Sequence, residues 1–193
     1  MEDLLKRTLV RKALAYATAA HAGQFRKWYP EVPYIAHPTR VAAEIAARPD
    51  ATEEMVAAAY LHDVIEDCGV AYIDLLTGFG EGVADLVMEL TNPSKGCKGP
   101  RAVRKEMDRK HIAAASREAK IIKLYDRLDN LSDLLVIKAP EFAGLYHGES
   151  LRLLESIRDA DPKVAEKLEA WLELIGKHVE FIKVLNGVDA GGN

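Results

Sequence analysis

At 193 residues with a formal charge of −4, the chain has room for one domain with a substantial core and little for a second. Its hydrophobic fraction of 49% and charged fraction of 29% are those of a globular protein, with no apolar run long enough for a membrane span. The acidic balance argues against a general nucleic-acid binder, and two cysteines without a CxxC pair argue against a thiolate zinc site or a disulfide framework. The expected compartment is therefore a reducing cytoplasm. The amphipathic start Met1-Glu-Asp-Leu-Leu-Lys-Arg7 does not read as a signal peptide.

Apolar residues recur at spacings of three and four through most of the chain, which predicts an all-α fold. Leu4 to Tyr16 gives a first helix ending near Gly23. Residues 23–38, with Pro30, Pro33 and Pro38, read as a loop, because proline blocks helix interiors. Thr39–Ala47 is a short helix. Thr52 then caps a helix that carries Met55, Val56, Ala59, Tyr60 and Ile65, with Glu53 and Glu54 favourably placed in its first turn. Two shorter helices are expected at Tyr72–Gly78 and Gly82–Leu90, followed by a turn-rich loop at Asn92–Pro100. Further helices are predicted at Ala102–Ala114, Glu118–Leu135, Phe142–Arg158 and Lys163–Leu185, the last capped by Asp161-Pro162. One domain is expected over residues 1–188, with a flexible tail at 189–193.

The chemistry concentrates in Tyr60-Leu-His-Asp-Val-Ile-Glu-Asp-Cys68. On a single helix His62 and Glu66 would lie four apart, as would Asp63 and Asp67, on successive turns. An imidazole and three carboxylates at the end of an apolar helix call for a counter-charge, which a divalent cation supplies. A solvated helix end accounts for the segment equally well on its own. His37, set before Pro38, reads either as a ligand or as a capping or core histidine. Asp126, in Lys123-Leu-Tyr-Asp126-Arg127, reads either as a ligand or as the partner of Lys123 or Arg127. A mixed His/Asp set suits manganese, iron or zinc.

Together these segments resemble the HD superfamily, and more narrowly the small alarmone hydrolases and the hydrolase domain of the RelA/SpoT homologues. The resemblance rests on Ala20-His21-Ala-Gly23-Gln24-Phe-Arg26-Lys27, Pro33-Tyr34-Ile35-Ala36-His37-Pro38, Leu61-His62-Asp63-Val64-Ile65-Glu66-Asp67 and Lys123-Leu-Tyr-Asp126-Arg127-Leu-Asp-Asn130. Phe79-Gly80, Leu90-Thr91, Phe142-Ala143 and Tyr146 follow the same order. It implies a helical, metal-dependent hydrolase of the 3′-pyrophosphate of ppGpp and pppGpp, standing alone without a synthetase domain. It implies His37, His62, Asp63 and Asp126 as ligands of Mn²⁺, and Glu66 and Asp67 as the acids that handle the attacking water. Arg26, Lys27 and Asn130 match residues beside the nucleotide, and Arg101, Arg104 and Lys105, just beyond the Gly-rich loop, stand where they could reach the 5′ phosphates. An exposed basic helix face explains those three equally well, and self-association stays open. His21 is expected to pack rather than react.

The chain departs from the family pattern in the aromatic stretch Trp28–Val32, at Cys68 and at Asp133. The first and last border the expected nucleoside pocket, which leaves guanine against adenine open. Alternatives to the alarmone are a nucleoside monophosphate or the 2′-phosphate of NADPH as substrate, or a silent nucleotide-binding domain.

Overall fold

The structure is a computed structural model that describes residues 4–134 and 139–185. Among them ten α-helices and one small hairpin pack around a single core. After a 3-10 turn at Leu4–Lys6 come α1 (Thr8–Ala20), β1 (Phe25–Arg26), β2 (Tyr29–Pro33), α2 (Ala36–Ala46), α3 (Glu53–Leu61) and α4 (Val64–Cys68). The chain continues through α5 (Tyr72–Phe79), α6 (Glu81–Leu90), α7 (Arg101–Ala113), α8 (Arg117–Leu134), α9 (Pro140–Ile157) and α10 (Pro162–Leu185). The all-α expectation holds, and the expected tail at 189–193 lies outside the described residues.

The hub is α3. Met55 through Leu61 are all buried, so this helix is apolar all round and packs against α1, α2, α6 and α8. Its start follows the sequence reading: the Thr52 side chain accepts a hydrogen bond from the Met55 amide at 3.2 Å. The second long element, α8, buries Ile121, Ile122, Leu124, Leu128 and Leu131 against α2, α10 and α9. Asp161 caps α10, accepting from the amides of Lys163 and Val164 at 3.0 and 3.2 Å.

Three expectations need correction. The segment read as a loop contains the antiparallel pair β1–β2, with Phe25 opposite Pro33 and Arg26 opposite Tyr29. Prolines at 30 and 33 fit a two-stranded ribbon whose outer edges need no amide donors. Second, α2 begins three residues earlier than predicted, at Ala36. Pro38 falls in its first turn, where the missing amide has no helical partner to lose.

Third, the helix expected to run through Ile65 breaks: His62 ends α3, Asp63 precedes α4, and the two are not consecutive turns of one rod. The His62 ring donates through Nδ1 to the Ala59 carbonyl at 2.8 Å, satisfying an acceptor near the helix end. After five residues α4 stops at Gly69, whose φ of +71° is the left-handed conformation that glycine reaches without penalty.

Candidate metal centre and adjoining pockets

The break after α3 decides the geometry of the site. It turns the Asp63 carboxylate back toward the His62 ring, bringing Oδ2 to 3.0 Å from Nε2. From the first turn of α2, His37 points its Nε2 to 3.2 Å from the same atom. From the middle of α8, Asp126 places Oδ1 3.2 Å from His37 Nε2 and 3.7 Å from His62 Nε2. The start of α2, the α3–α4 break and the middle of α8 thus bring two imidazoles and two carboxylates together. His37 and His62 are almost wholly buried, at 1% exposure each.

The outer nitrogen of each ring is already engaged. His37 Nδ1 donates to Asp129 at 2.6 Å, and His62 Nδ1 donates to Ala59. Neutral rings so fixed present two Nε2 lone pairs to each other and to two carboxylate oxygens. Such an arrangement is repulsive without a cation between them. Burial acts to lower both histidines, yet neighbouring carboxylates raise them above the ordinary value, Asp126 and Asp129 for His37 and Asp63 and Asp126 for His62. The cluster therefore selects positive charge. His37, His62 and Asp63 alone place their ligating atoms within 4.8 Å of one another, a fit for one divalent ion.

Around the cluster lies a shell of braces. Tyr34 donates to Asp63 Oδ2 at 2.5 Å. Asn130 donates to Asp126 Oδ1 at 2.6 Å, and the Lys123 ammonium, buried, sits 2.8 Å from Asp126 Oδ2. The intrahelical partner expected for Asp126 thus exists, but it occupies one carboxylate oxygen and leaves the other for the cluster. Arg40 grips Asp129 through two hydrogen bonds of 2.5 and 2.9 Å, which fixes the carboxylate that orients His37.

The two acids of α4 face different surroundings. Glu66 is half-buried and accepts from the Asn92 amide and side chain at 3.3 and 2.8 Å. Burial pushes its carboxyl above the ordinary glutamate range, against the opposing pull of Lys123. Asp67 is exposed and pairs with Lys95 at 3.2 Å.

Arg26, from β1, is buried and donates to Asn130 Oδ1 at 2.9 Å and to Asp133 Oδ2 at 2.6 Å. The departure at Asp133 therefore anchors this arginine. Arg26, Asn130 and Asp133 share a pocket of about 180 Å³ with the rings of Trp28, Phe142 and Tyr146. Lys27 is exposed, its Nζ 4.7 Å from the Trp28 ring centroid and 4.8 Å from that of Phe142. Arg101 is held by Glu149 at 2.7 and 2.9 Å, over the Phe142 ring. Arg104 makes no ion pair among the described residues. His21, buried between Gln24 and Tyr34, packs as expected.

Tyr34, Arg40, Asn92 and Asp129 are the site residues to which sequence reading assigned no role there; Lys123 was expected only as a partner of Asp126. Tyr34 and Asp129 do fall inside the recognised motifs, and Asp129 lies three positions after Asp126 on the same helix face, which was the available signal.

An HD domain family model matches residues 13–144. The Guanosine-3′,5′-bis(diphosphate) 3′-pyrophosphohydrolase MESH1 of Drosophila melanogaster is 38% identical over 126 residues, 65% of this chain and 69% of its own. Its Danio rerio counterpart is 35% identical over 159 residues, 80% and 87% of the two chains. The bifunctional (p)ppGpp synthase/hydrolase SpoT of Escherichia coli is 38% identical, but the match spans only 19% of its length. A solved structure of a metazoan ortholog of SpoT that hydrolyzes ppGpp superposes with a TM-score of 0.78 at 30% identity, covering 88% of this chain and 97% of that one. The structure of lmo0812 from Listeria monocytogenes gives a TM-score of 0.60 at 25% identity, covering 75% and 96%.

Proposed function

This chain belongs to the HD-domain family, among the relatives of MESH1, and we propose that it hydrolyses the 3′-pyrophosphate of ppGpp and related alarmones, releasing GDP or GTP and pyrophosphate. The observation that carries the reading is the convergence of two imidazole Nε2 atoms and two carboxylates beside an arginine-lined aromatic pocket. In it His37, His62, Asp63 and Asp126 hold one divalent ion. The donor set accepts manganese, iron or zinc, and manganese is the ion that the sequence resemblance implies. When bound, such an ion polarises a water, lowers its pKa and offsets charge on the phosphorus.

The protein's own residues do the rest. Glu66, with its raised carboxyl in the first turn of α4 three residues after Asp63, accepts the water's proton, and Asn92 holds it in orientation. Asp67, paired with Lys95 at the rim, is the second acid of the pair. Lys123 and Arg40 balance the carboxylates that keep the site anionic. The purine nucleoside enters the pocket of Trp28, Phe142 and Tyr146, where Arg26 and Asn130 meet the base and ribose and Lys27 attracts phosphate. Cys68 and Cys97 are free thiols, and among the described residues no helix is long and apolar enough to cross a membrane; both features agree with the cytoplasm as its place of action.

The test is a nucleotide panel with Mn²⁺-loaded protein: ppGpp, its adenosine counterpart, nucleoside monophosphates and NADPH, with products resolved by ion-exchange chromatography. The reading expects GDP and pyrophosphate from ppGpp. Phosphate release from another nucleotide without any 3′-pyrophosphate cleavage would overturn it.

A further inference from the structure

A second cavity, of about 270 Å³, lies between α7, α8 and α9, and nothing in the proposed mechanism uses it. Its inner wall is made by Asn92 and Lys123, the residues that touch Glu66 and Asp126 from behind. Arg127 and Arg152 also line it, together with Lys105 and Arg109. The acids at its wall are already paired: Asp108 with Lys105 and Glu106 with Arg109 at the wall itself, and Glu149 with Arg101 outside it. Arg127 and Arg152 form no ion pair with a carboxylate among the described residues. Arg127 meets only the Ser150 hydroxyl at 3.2 Å and the Tyr146 ring, and its buried Nε has no hydrogen-bond partner. Two guanidiniums with no carboxylate at ion-pair distance therefore face a space several times larger than one water molecule.

The placement of residues along two helices says what this space is for. On α8, Asn130 and Asp133 line the aromatic pocket, Asp126 belongs to the metal cluster, and Lys123 and Arg127, on either side of Asp126, line the basic cavity. On α9 Phe142 and Tyr146 line the aromatic pocket and Arg152 the basic cavity. Lys123 to Asn130 is seven residues of helix, roughly 10 Å at 1.5 Å per residue. The metal cluster thus adjoins both spaces: Asn130 reaches Asp126 from the aromatic pocket, and Lys123 reaches it from the basic cavity. A nucleoside bearing a 3′-diphosphate has three matching parts: nucleoside, scissile phosphorus, terminal phosphate.

We propose that the cavity formed by Lys123, Arg127 and Arg152 binds the terminal phosphate of the substrate's 3′-diphosphate, and retains inorganic pyrophosphate after cleavage. This rests on the proposed hydrolase reading, and specifies what the site requires beyond a simple phosphate ester. Arginine's forked donors suit a phosphate that carries two charges, and binding there draws the scissile phosphorus toward the cluster.

Calorimetric titration of the Mn²⁺-loaded protein with inorganic pyrophosphate and, separately, with GDP tests the idea without turnover. Arg152→Ala removes an exposed side chain and spares the fold, and Arg127→Gln keeps a packing surface against Tyr146. Both are expected to weaken pyrophosphate at least tenfold while leaving GDP within about twofold. Pyrophosphate affinity unchanged in both variants, or no pyrophosphate binding by the unaltered protein, overturns the proposal. A protein that binds pyrophosphate through Arg152 yet cleaves no alarmone keeps this site and loses the proposed substrate instead.

Discussion

Glu66 and Asp67 adjoin in sequence and read as one acidic pair, yet only Glu66 meets the interior. Its carboxyl is raised by burial, so it stays protonated to a higher pH than a solvated glutamate near 4.3. A base must be ionised, so kcat/KM is expected to fall as pH drops through that raised value. Glu66→Gln should abolish this acid limb and lower turnover by roughly 10²- to 10⁴-fold. Metal analysis should find the ion still bound; its loss would make Glu66 a ligand rather than a base. His37, His62 and Asp126 were recognisable from their motifs because each sits in a fixed local frame: before a proline, before an aspartate, inside an apolar helix. The role of Asp129 was not. In sequence it is one more acid on α8, and only the approach of α2 sets it 2.6 Å from His37.

Most elements follow from local rules, and their ends follow from caps. Thr52 and Asp161 behave as their side chains dictate. The hairpin and the α3–α4 break were not legible, because both are set by tertiary partners: Arg26 reaches across to Asp133, and the Asp63 carboxylate turns toward His62 and Tyr34. Asp161 offers a test at this scale, since it caps α10 and also pairs with Arg48 at 2.5 Å. Burial raises its carboxyl, but the hydrogen bond from Arg48 prevails and holds it below the usual range. A carboxyl lowered in the folded state stabilises above its unfolded pKa, and loses that contribution as pH falls through the folded value. Asp161→Ala should therefore cost about 1–2 kcal/mol at pH 7 in denaturant unfolding, and the gap should close below roughly pH 4. A gap that persists in acid would assign the effect to packing.

In the molecule as a whole, the cluster joins α2, α8 and the α3–α4 break, so an ion bound there holds together elements distant in sequence. Ligand binding to the folded state alone adds about 2.7 kcal/mol at one hundred times Kd, or roughly 5 to 10 °C in Tm for a domain of this size. Removing metal with a chelator should lower Tm by that order, and Asp63→Ala should show no such response. An equal response in that variant would place the ion elsewhere.

The measurement that bears most directly on the central claim is hydrolysis of ppGpp by the Mn²⁺-loaded protein in ¹⁸O-enriched water, with mass analysis of both products. Water attacking phosphorus at the 3′ position puts one ¹⁸O into pyrophosphate and leaves GDP unlabelled, which is the predicted result. Label in the nucleoside, or no release of pyrophosphate at all, would contradict it.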